Sequence, residues 1–378
     1  MTSTADVSII VPCYNAARFL PDTIRSVLDQ EGVDIQLILV DDGSTDETPA
    51  VIAEVAKRDK RVLSLTITNS GVSAARNVGI KHAHGSFIGF LDADDLLVSG
   101  SMLSQCAFLR AHPEYGAVAG SFERIDETGR VISRELQSGD AIEPRRMLLG
   151  NCVHTSSVLM RRDILQGLKG MDTALIVAED WDFFSRMILD GVGIGCQKRV
   201  VSQYRVVTNS LSSNPGRMTE GCLRVMEKTF ASPQLKQEWK EYRKEAEIRI
   251  RRNGASRALA VGQFEEARTQ FIALQQLDKT LFEQKFPELA KSISAWLALA
   301  GGKIDQQFLA GLKGALPVVL DQSVLHRHIA YGMERHKVMV KKRMAGFAAA
   351  LPHGAMLFLK FPGLAMHDLF LFLSRASR

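Results

Sequence analysis

The sequence predicts an α/β fold built on a parallel sheet with helices on both faces. Three observations carry this. First, Val7 to Val11, Ile35 to Val40, Val62 to Ile67 and Phe87 to Leu91 are strand-length runs, three of them apolar nearly throughout rather than alternating, as strands buried on both faces require. Second, stretches with helical apolar spacing separate these runs, giving the order β-α-β-α-β-α-β. Third, the runs end in polar turns at Tyr14-Asn15, Asp41-Asp42 and Asp92-Ala93-Asp94. A parallel topology gathers such turns on one carboxyl edge, where open α/β sheets bind their ligands.

Taken in order, the first strand stops at Pro12, and Asn15 in the next turn can cap a helix. Leu20, Ile24, Val27 and Leu28 then recur at helical spacing, with Pro21 early enough to be tolerated. After the second strand, Ser44 or Thr45 can cap a helix expected to run to about Arg58, and Asp46 and Glu47 suit its first turn. Ser70-Gly71-Val72-Ser73 opens a helix carrying Arg76 and Asn77. Farther along, Arg161 and Arg162 are expected to begin a surface helix, and Gly191, Gly193 and Gly195 in GVGIGC to form a loop. Asn209 to Gly216 is rich in turn residues and marks a domain boundary.

Composition bounds the function. The 378 residues suit two or three domains, and 46% hydrophobic with 24% charged residues is ordinary for a globular chain. A formal net charge of +5 favours neither a dedicated nucleic-acid binder nor an acidic tail. Cys13, Cys106, Cys152, Cys196 and Cys222 include no CxxC pair, so no zinc site or disulfide framework follows and a reducing, cytoplasmic compartment is expected. MTSTADVSII lacks the pattern of an export signal. There is no GxxxxGK[ST] for a P-loop and no GxGxxG after the first strand for a dinucleotide.

The chemistry concentrates where the Phe87 strand delivers Asp92, Asp94 and Asp95 to the sheet edge. Hard carboxylates suit Mg²⁺ or Mn²⁺, and Mg²⁺ commonly shares its shell with substrate phosphates. Taken alone, the same acids also suit a turn that caps the following helix. Glu179, Asp180 and Asp182 raise the same choice, because acids in a first helical turn stabilise any helix. Asp182 is expected to serve only the helix end.

VSIIVPCYNAARFLPDTIRSVLDQ, ILVDDGSTDET, SGVSAARNVGI and FLDADD, in this order, resemble the family 2 glycosyltransferases. The resemblance continues through HTSSVLMRRDIL, GLKGMDTAL, AEDWDFFSRM and YRVVTNSLS, covering about residues 5 to 213. It implies a GT-A fold, an inverting transfer from a nucleotide diphosphate sugar (UDP-linked) to a hydroxyl of a glycan or lipid-linked glycan, and a divalent cation, Mn²⁺ or Mg²⁺. It places Pro12, Tyr14, Asp41 and Asp42 in the nucleotide pocket, Arg76 at the base and diphosphate, Asp92 near the ribose and Asp94 on the metal. It makes Asp180 the catalytic base. Glu179 is expected to orient the loop or touch the acceptor, and His154 either to line the acceptor side or to be a satisfied structural residue, as a lone histidine more often is. After Tyr204-Arg205 the family often shows a histidine, where this chain has Val207. Arg205 and Ser210 are left to meet phosphate oxygens.

The chain is accordingly divided into a transferase domain, 1–215, a helical accessory domain, 216–307, and a basic and apolar helical tail, 308–378. Arg257 to Leu277 has the look of one tetratricopeptide-type helix pair. RHKVMVKKR, Arg335 to Arg343, is basic without an acid, and an apolar aromatic segment follows Met344. That pairing suits peripheral contact with the inner face of a membrane. Self-association is open to the helical part. Two rival readings are a sugar-nucleotide-binding scaffold without turnover and a nucleotidyltransferase; the latter wants a glycine- and basic-rich first loop, which Pro12-Cys13-Tyr14-Asn15 does not supply.

Overall fold

The structure is a computed structural model. It describes residues 5–207, 213–283, 286–300, 303–316 and 327–335, with positions 357, 360, 361, 364 and 365. Ser210 and the basic run after Arg335 lie outside the described residues, as does most of the apolar segment after Met344. No described helix is long and apolar enough to cross a membrane.

The chain divides into two compact units, Met1–Leu211 with Arg224–Arg243, and Ser212–Leu223 with Lys244–Arg378. The first unit is built on a sheet. Its strands are β1 (Val7–Cys13), β2 (Ile35–Asp41), β3 (Val62–Thr66), β4 (Phe87–Phe90), β5 (Leu96–Leu97), β6 (Tyr115–Ile125), β7 (Val131–Glu135), β8 (Val158–Arg161) and β9 (Gly193–Arg205). The order is β3-β2-β1-β4-β8-β6-β9-β5, with β7 paired to β6. β1, β2, β3 and β4 pair in parallel, as the uninterrupted apolar runs predict. β1 and β2 are buried at every residue.

Beyond β4 the sheet is mixed. β8 runs antiparallel to both β4 and β6, whereas β6 and β9 are parallel. Two expectations are corrected here. Arg161 ends β8 instead of beginning a helix, with its guanidinium on the Tyr115 and Leu109 carbonyls. Gly193 and Gly195 lie inside β9, where Gly193 faces Tyr115 of β6 and Gly195 faces Phe108 and Tyr115. A side chain at Gly195 would overlap the Phe108 ring, so that strand needs a residue that reads as a loop former.

Helices α1 (Leu20–Leu28), α2 (Thr48–Arg58), α3 (Val72–His82), α4 (Ser101–Ala111), α5 (Pro144–Leu148), α6 (Leu165–Leu168) and α7 (Glu179–Leu189) belong to this unit. α3 lies close on β1 because Gly79 faces Ile10; an added Cβ would sit 2.3 Å from Ile10 Cγ2. α7 is seated by Trp181, Phe183 and Phe184, all buried. Phe183 meets the Phe90 ring edge-on at 6.0 Å, and Trp181 Nε1 donates to the Met147 carbonyl at 2.7 Å. Each such aromatic, fully buried, contributes on the order of 2 to 3 kcal/mol. Asn15 does not cap α1. It adopts φ 47°, and its Oδ1 accepts from the Thr45 amide at 2.8 Å, tying the first turn to the second.

Helix α8 (Pro215–Phe230) contains the division between the units. The second unit is helical, with α9 (Tyr242–Ala260), α10 (Phe264–Leu277), α11 (Thr280–Glu283), α12 (Phe286–Leu299) and α13 (Gln306–Ala315). Leu259, Phe271, Leu274, Phe282, Leu289 and Ile293 form the heart of its own core.

Candidate active site

The carboxyl ends of β1, β2 and β4 carry the residues expected to meet a nucleotide. Tyr14 is 52% exposed. Asp41 and Asp42 are buried, and their carboxylates already serve the fold. Asp41 Oδ1 accepts from the Ser44 amide at 3.0 Å. Asp42 accepts from the Ser70 amide at 2.7 Å and the Gly71 amide at 2.9 Å, closing the start of α3. Pro12 lies within buried β1.

Arg76, on the buried face of α3, is the charged centre of the site. Its guanidinium donates to Asp92 Oδ1 at 2.6 Å and to Glu179 Oε1 at 2.8 Å. It thus joins the end of β4 to the start of α7. Burial alone would weaken its charge, but the Asp92 and Glu179 carboxylates outweigh burial and hold it protonated. Its Nε has no hydrogen-bond partner among the described residues.

The turn after β4 crowds three carboxylates together. Burial and the neighbouring Asp92 push Asp94 up to about 6. Asp95, wholly buried, is raised well above the carboxylate range by burial and by Asp92 and Asp94. Asp95 accepts from Ser156 Oγ at 2.7 Å and from the Arg205 amide at 2.9 Å. Arg205 is itself buried, and its Nε donates to the Asp94 carbonyl at 2.9 Å. Two of the three Arg205 nitrogens hold backbone, since NH1 serves the Asp126 and Glu127 carbonyls. Its geometry is first that of a staple for the acidic turn.

Asp180 sits in the first turn of α7, just after Ala178, which adopts φ 62°. That left-handed residue turns the chain abruptly into the helix. Asp180 Oδ2 accepts from Asn151 Nδ2 at 2.8 Å and Thr155 Oγ1 at 3.1 Å, and Oδ1 accepts from the Trp181 amide at 2.7 Å. Burial raises the Asp180 carboxyl above its ordinary value, and Arg76 and these hydrogen bonds oppose that rise. Burial raises Glu179 as well.

His154 lies between the rings of Phe122 and Tyr204, at 4.8 and 4.9 Å. Its Nε2 is 3.5 Å from Asp95 Oδ2, and burial lowers its pKa to about 4, leaving a neutral imidazole. Asp92, Asp95 and His154 each offer a donor atom, all within 4.8 Å of one another. Two crowded carboxylates beside a neutral imidazole are a donor set suited to a divalent cation. Asp94 is outside that mutual set.

One polar cluster therefore holds Arg76, Asp92, Glu179 and Asp180, while Asp41 and Asp42 stand apart as turn acceptors. Sequence reasoning did not single out Asn151, Thr155 or Ser156, and it named Asp95 among the acids of the turn without giving it a role. Thr155 and Ser156 stood within HTSSV, but only the fold reveals that they address two different acids.

The Glycosyl transferase family 2 sequence model matches residues 8–168. An uncharacterised glycosyltransferase of Haemophilus influenzae is 36% identical over 179 residues, which is 47% of this chain and 70% of that protein. TuaG of Bacillus subtilis, named for teichuronic acid biosynthesis, is 26% identical over 209 residues, 55% of this chain and 82% of its own. In four further relatives the matches span 18% to 27% of the relative's own length. S. aureus TarS 1–349, solved with UDP-GlcNAc, shares the fold at TM-score 0.54 and 18% identity, over 89% of this chain and 91% of that one. The matched segment carries β1 to β8 and the acidic turn of the site, and the chain belongs to glycosyltransferase family 2.

Proposed function

We propose that the protein transfers a sugar from a nucleotide diphosphate sugar, UDP-linked, to a hydroxyl of a surface glycan or its lipid-linked precursor, with inversion at the anomeric carbon. The observation that carries this reading is the pairing of Asp180 with the Arg76 cluster. A carboxylate with three hydrogen-bond donors and a raised pKa sits beside a cationic centre that reaches the acidic turn. The kinship with TuaG and the fold shared with a UDP-GlcNAc complex support the substrate classes.

The roles cohere chemically. The acceptor hydroxyl is a weak nucleophile and must lose its proton as it attacks, and Asp180 Oδ2 is the base that takes it. Asn151 and Thr155 aim that oxygen and stabilise its charged form. Displacement from the face opposite the diphosphate needs no covalent enzyme intermediate. Arg76 balances the charge shared by Asp92 and Glu179 and faces the diphosphate region. Glu179 and His154 border the acceptor side, and Tyr14 offers an exposed ring to the base. Asp94 is the expected ligand of Mn²⁺ or Mg²⁺, and Asp92, Asp95 and His154, a set that does not include Asp94, offer clustered donor atoms as the alternative seat. When bound, the cation neutralises diphosphate charge on the leaving group.

The test is a panel of nucleotide sugars incubated with the protein and Mn²⁺, scored for released nucleoside diphosphate. One donor is expected to turn over slowly by hydrolysis. Silence across the panel and with added glycan acceptors, while UDP still binds, would reject transfer in favour of a binding role. Asp94→Ala is expected to remove the Mn²⁺ dependence of UDP binding in calorimetry, and an unchanged dependence would take Asp94 out of the site.

A further inference from the structure

Asp182 stands two residues after Asp180, and its side chain is only 1% exposed. A carboxylate that buried costs stability unless it is paired. Both of its oxygens are engaged. Oδ2 accepts from Arg186 Nε at 2.9 Å, and Oδ1 meets Lys228 Nζ at 2.7 Å. This corrects the helix-end role expected from sequence.

Each cation has a second task. Arg186 donates NH1 to the Leu168 carbonyl and NH2 to the Gly170 carbonyl, the latter at 2.7 Å. The Lys228 ammonium also meets Asp172 Oδ2 at 2.6 Å. The backbone from 168 to 172 is thus a strap tied to α7 at both ends. The strap is tied to α3 as well. Asn77 Nδ2 donates to the Met171 carbonyl at 2.8 Å, and Asn77 Oδ1 accepts from the Met171 amide at 2.7 Å. Gly170, at φ 74°, is required for that grip, since a Cβ there would stand 2.4 Å from Asn77 Oδ1. Asn77 follows Arg76 directly, and Met171 Sδ lies 3.6 Å from Arg76 NH1.

Leu168 and Met171 are buried and hold the inner side of the strap. Residues 167–173 also line a cavity of about 790 Å³, together with Asp182, Arg186 and Lys228. On that side polar ties hold the strap. We propose that Lys228 is a positioning residue: by bridging Asp172 and Asp182 it locks the strap that sets the spacing between α3, which carries Arg76, and α7, which carries Glu179 and Asp180. Lys228 touches none of the reacting groups and acts through this spacing. The assignment rests on the transferase reading of the site for its kinetic consequence but not for its structural one.

The experiment compares wild type, Lys228→Met and Lys228→Arg by hydrogen exchange and by donor turnover. In Lys228→Met, amide exchange across residues 168–178 is expected to rise on the order of tenfold. The kcat is expected to fall on the order of tenfold through misplacement of Asp180 against Arg76, with nucleoside diphosphate Kd within about twofold. Lys228→Arg should keep both near wild type. Unchanged exchange, unchanged kcat, or a loss of kcat and Kd together that arginine does not rescue would each overturn the proposal. If Lys228→Met does not fold, Asp172→Ala removes the acceptor and cuts the same tie while leaving Asp182 its cations, and unchanged strap exchange in that variant rejects the clamp. If the wild type turns over no donor, the transferase reading fails, and the exchange comparison alone decides the clamp.

Discussion

The acids at the end of β2 and those at the end of β4 and the start of α7 are the same residue types in opposite circumstances. Asp41 and Asp42 are buried, yet backbone amides satisfy them: Ser44 for the first, Ser70 and Gly71 for the second. Asp92, Asp94, Asp95, Glu179 and Asp180 instead crowd one another around Arg76, and four of them have raised pKa values. A carboxylate that receives local amides holds a turn. Asp95 and Asp180 also accept one amide each, from Arg205 and Trp181, but the site acids depend besides on a buried guanidinium and on side-chain donors. Carboxylates with raised pKa values gathered in this way are candidates for chemistry.

The sharpest way to break this contrast is to remove charge on each side of it. Asp180→Asn keeps the shape of the side chain and removes the base, so kcat for the donor found in the panel is expected to fall by about 10² to 10⁴. Nucleotide affinity should hold, because Asp180 is bonded to Asn151, Thr155 and its own helix start. Turnover within about threefold of wild type would remove Asp180 from the chemistry and leave it a capping acid.

A second comparison uses two arginines. Arg76 is 3% exposed and serves two carboxylates, whereas Arg61 is 44% exposed and pairs with Asp59 at the surface. Arg76→Met leaves Asp92 and Glu179 facing each other without a cation, and the expected loss is about 3 to 5 kcal/mol in chemical denaturation. Arg61→Met should cost less than about 1 kcal/mol. Equal losses would mean that the cluster is no more dependent on its guanidinium than a surface pair is.

Legibility from sequence follows the same divide. β1, β2 and β4 could be read because strands buried on both faces advertise themselves as apolar runs. Arg161 and the glycines of β9 could not, because their places depend on β6, a strand that pairs with β7, β8 and β9. Asp180 could be named as a candidate because a motif carries it. Its partners Asn151 and Thr155 lie 29 and 25 residues away, and Asp182 meets its second cation at Lys228, 46 positions along. Periodicity reports on what a residue faces, not on which distant residue it meets.

The smallest expected effect is also the most specific. Asp180 must be a carboxylate to take a proton, so turnover falls as pH drops through its pKa. Because burial raises that pKa, the acid limb of the kcat profile should lie above the usual carboxylate range. The Thr155 hydroxyl donates to Asp180 Oδ2 and favours the charged form, opposing the rise. Thr155→Val deletes that donor at nearly constant shape. A hydrogen bond to a charged group contributes about 1.5 to 3 kcal/mol net, and one pH unit corresponds to about 1.4 kcal/mol, so the limb should move up by roughly one to two units. At pH values well above the limb, kcat should stay within about threefold of wild type, since the remaining carboxylate is still charged and still held by Asn151. A limb that stays in place would mean that Thr155 only packs against the loop. A limb that moves down would mean that the titrating group is not Asp180 but an acid that Thr155 had been holding neutral.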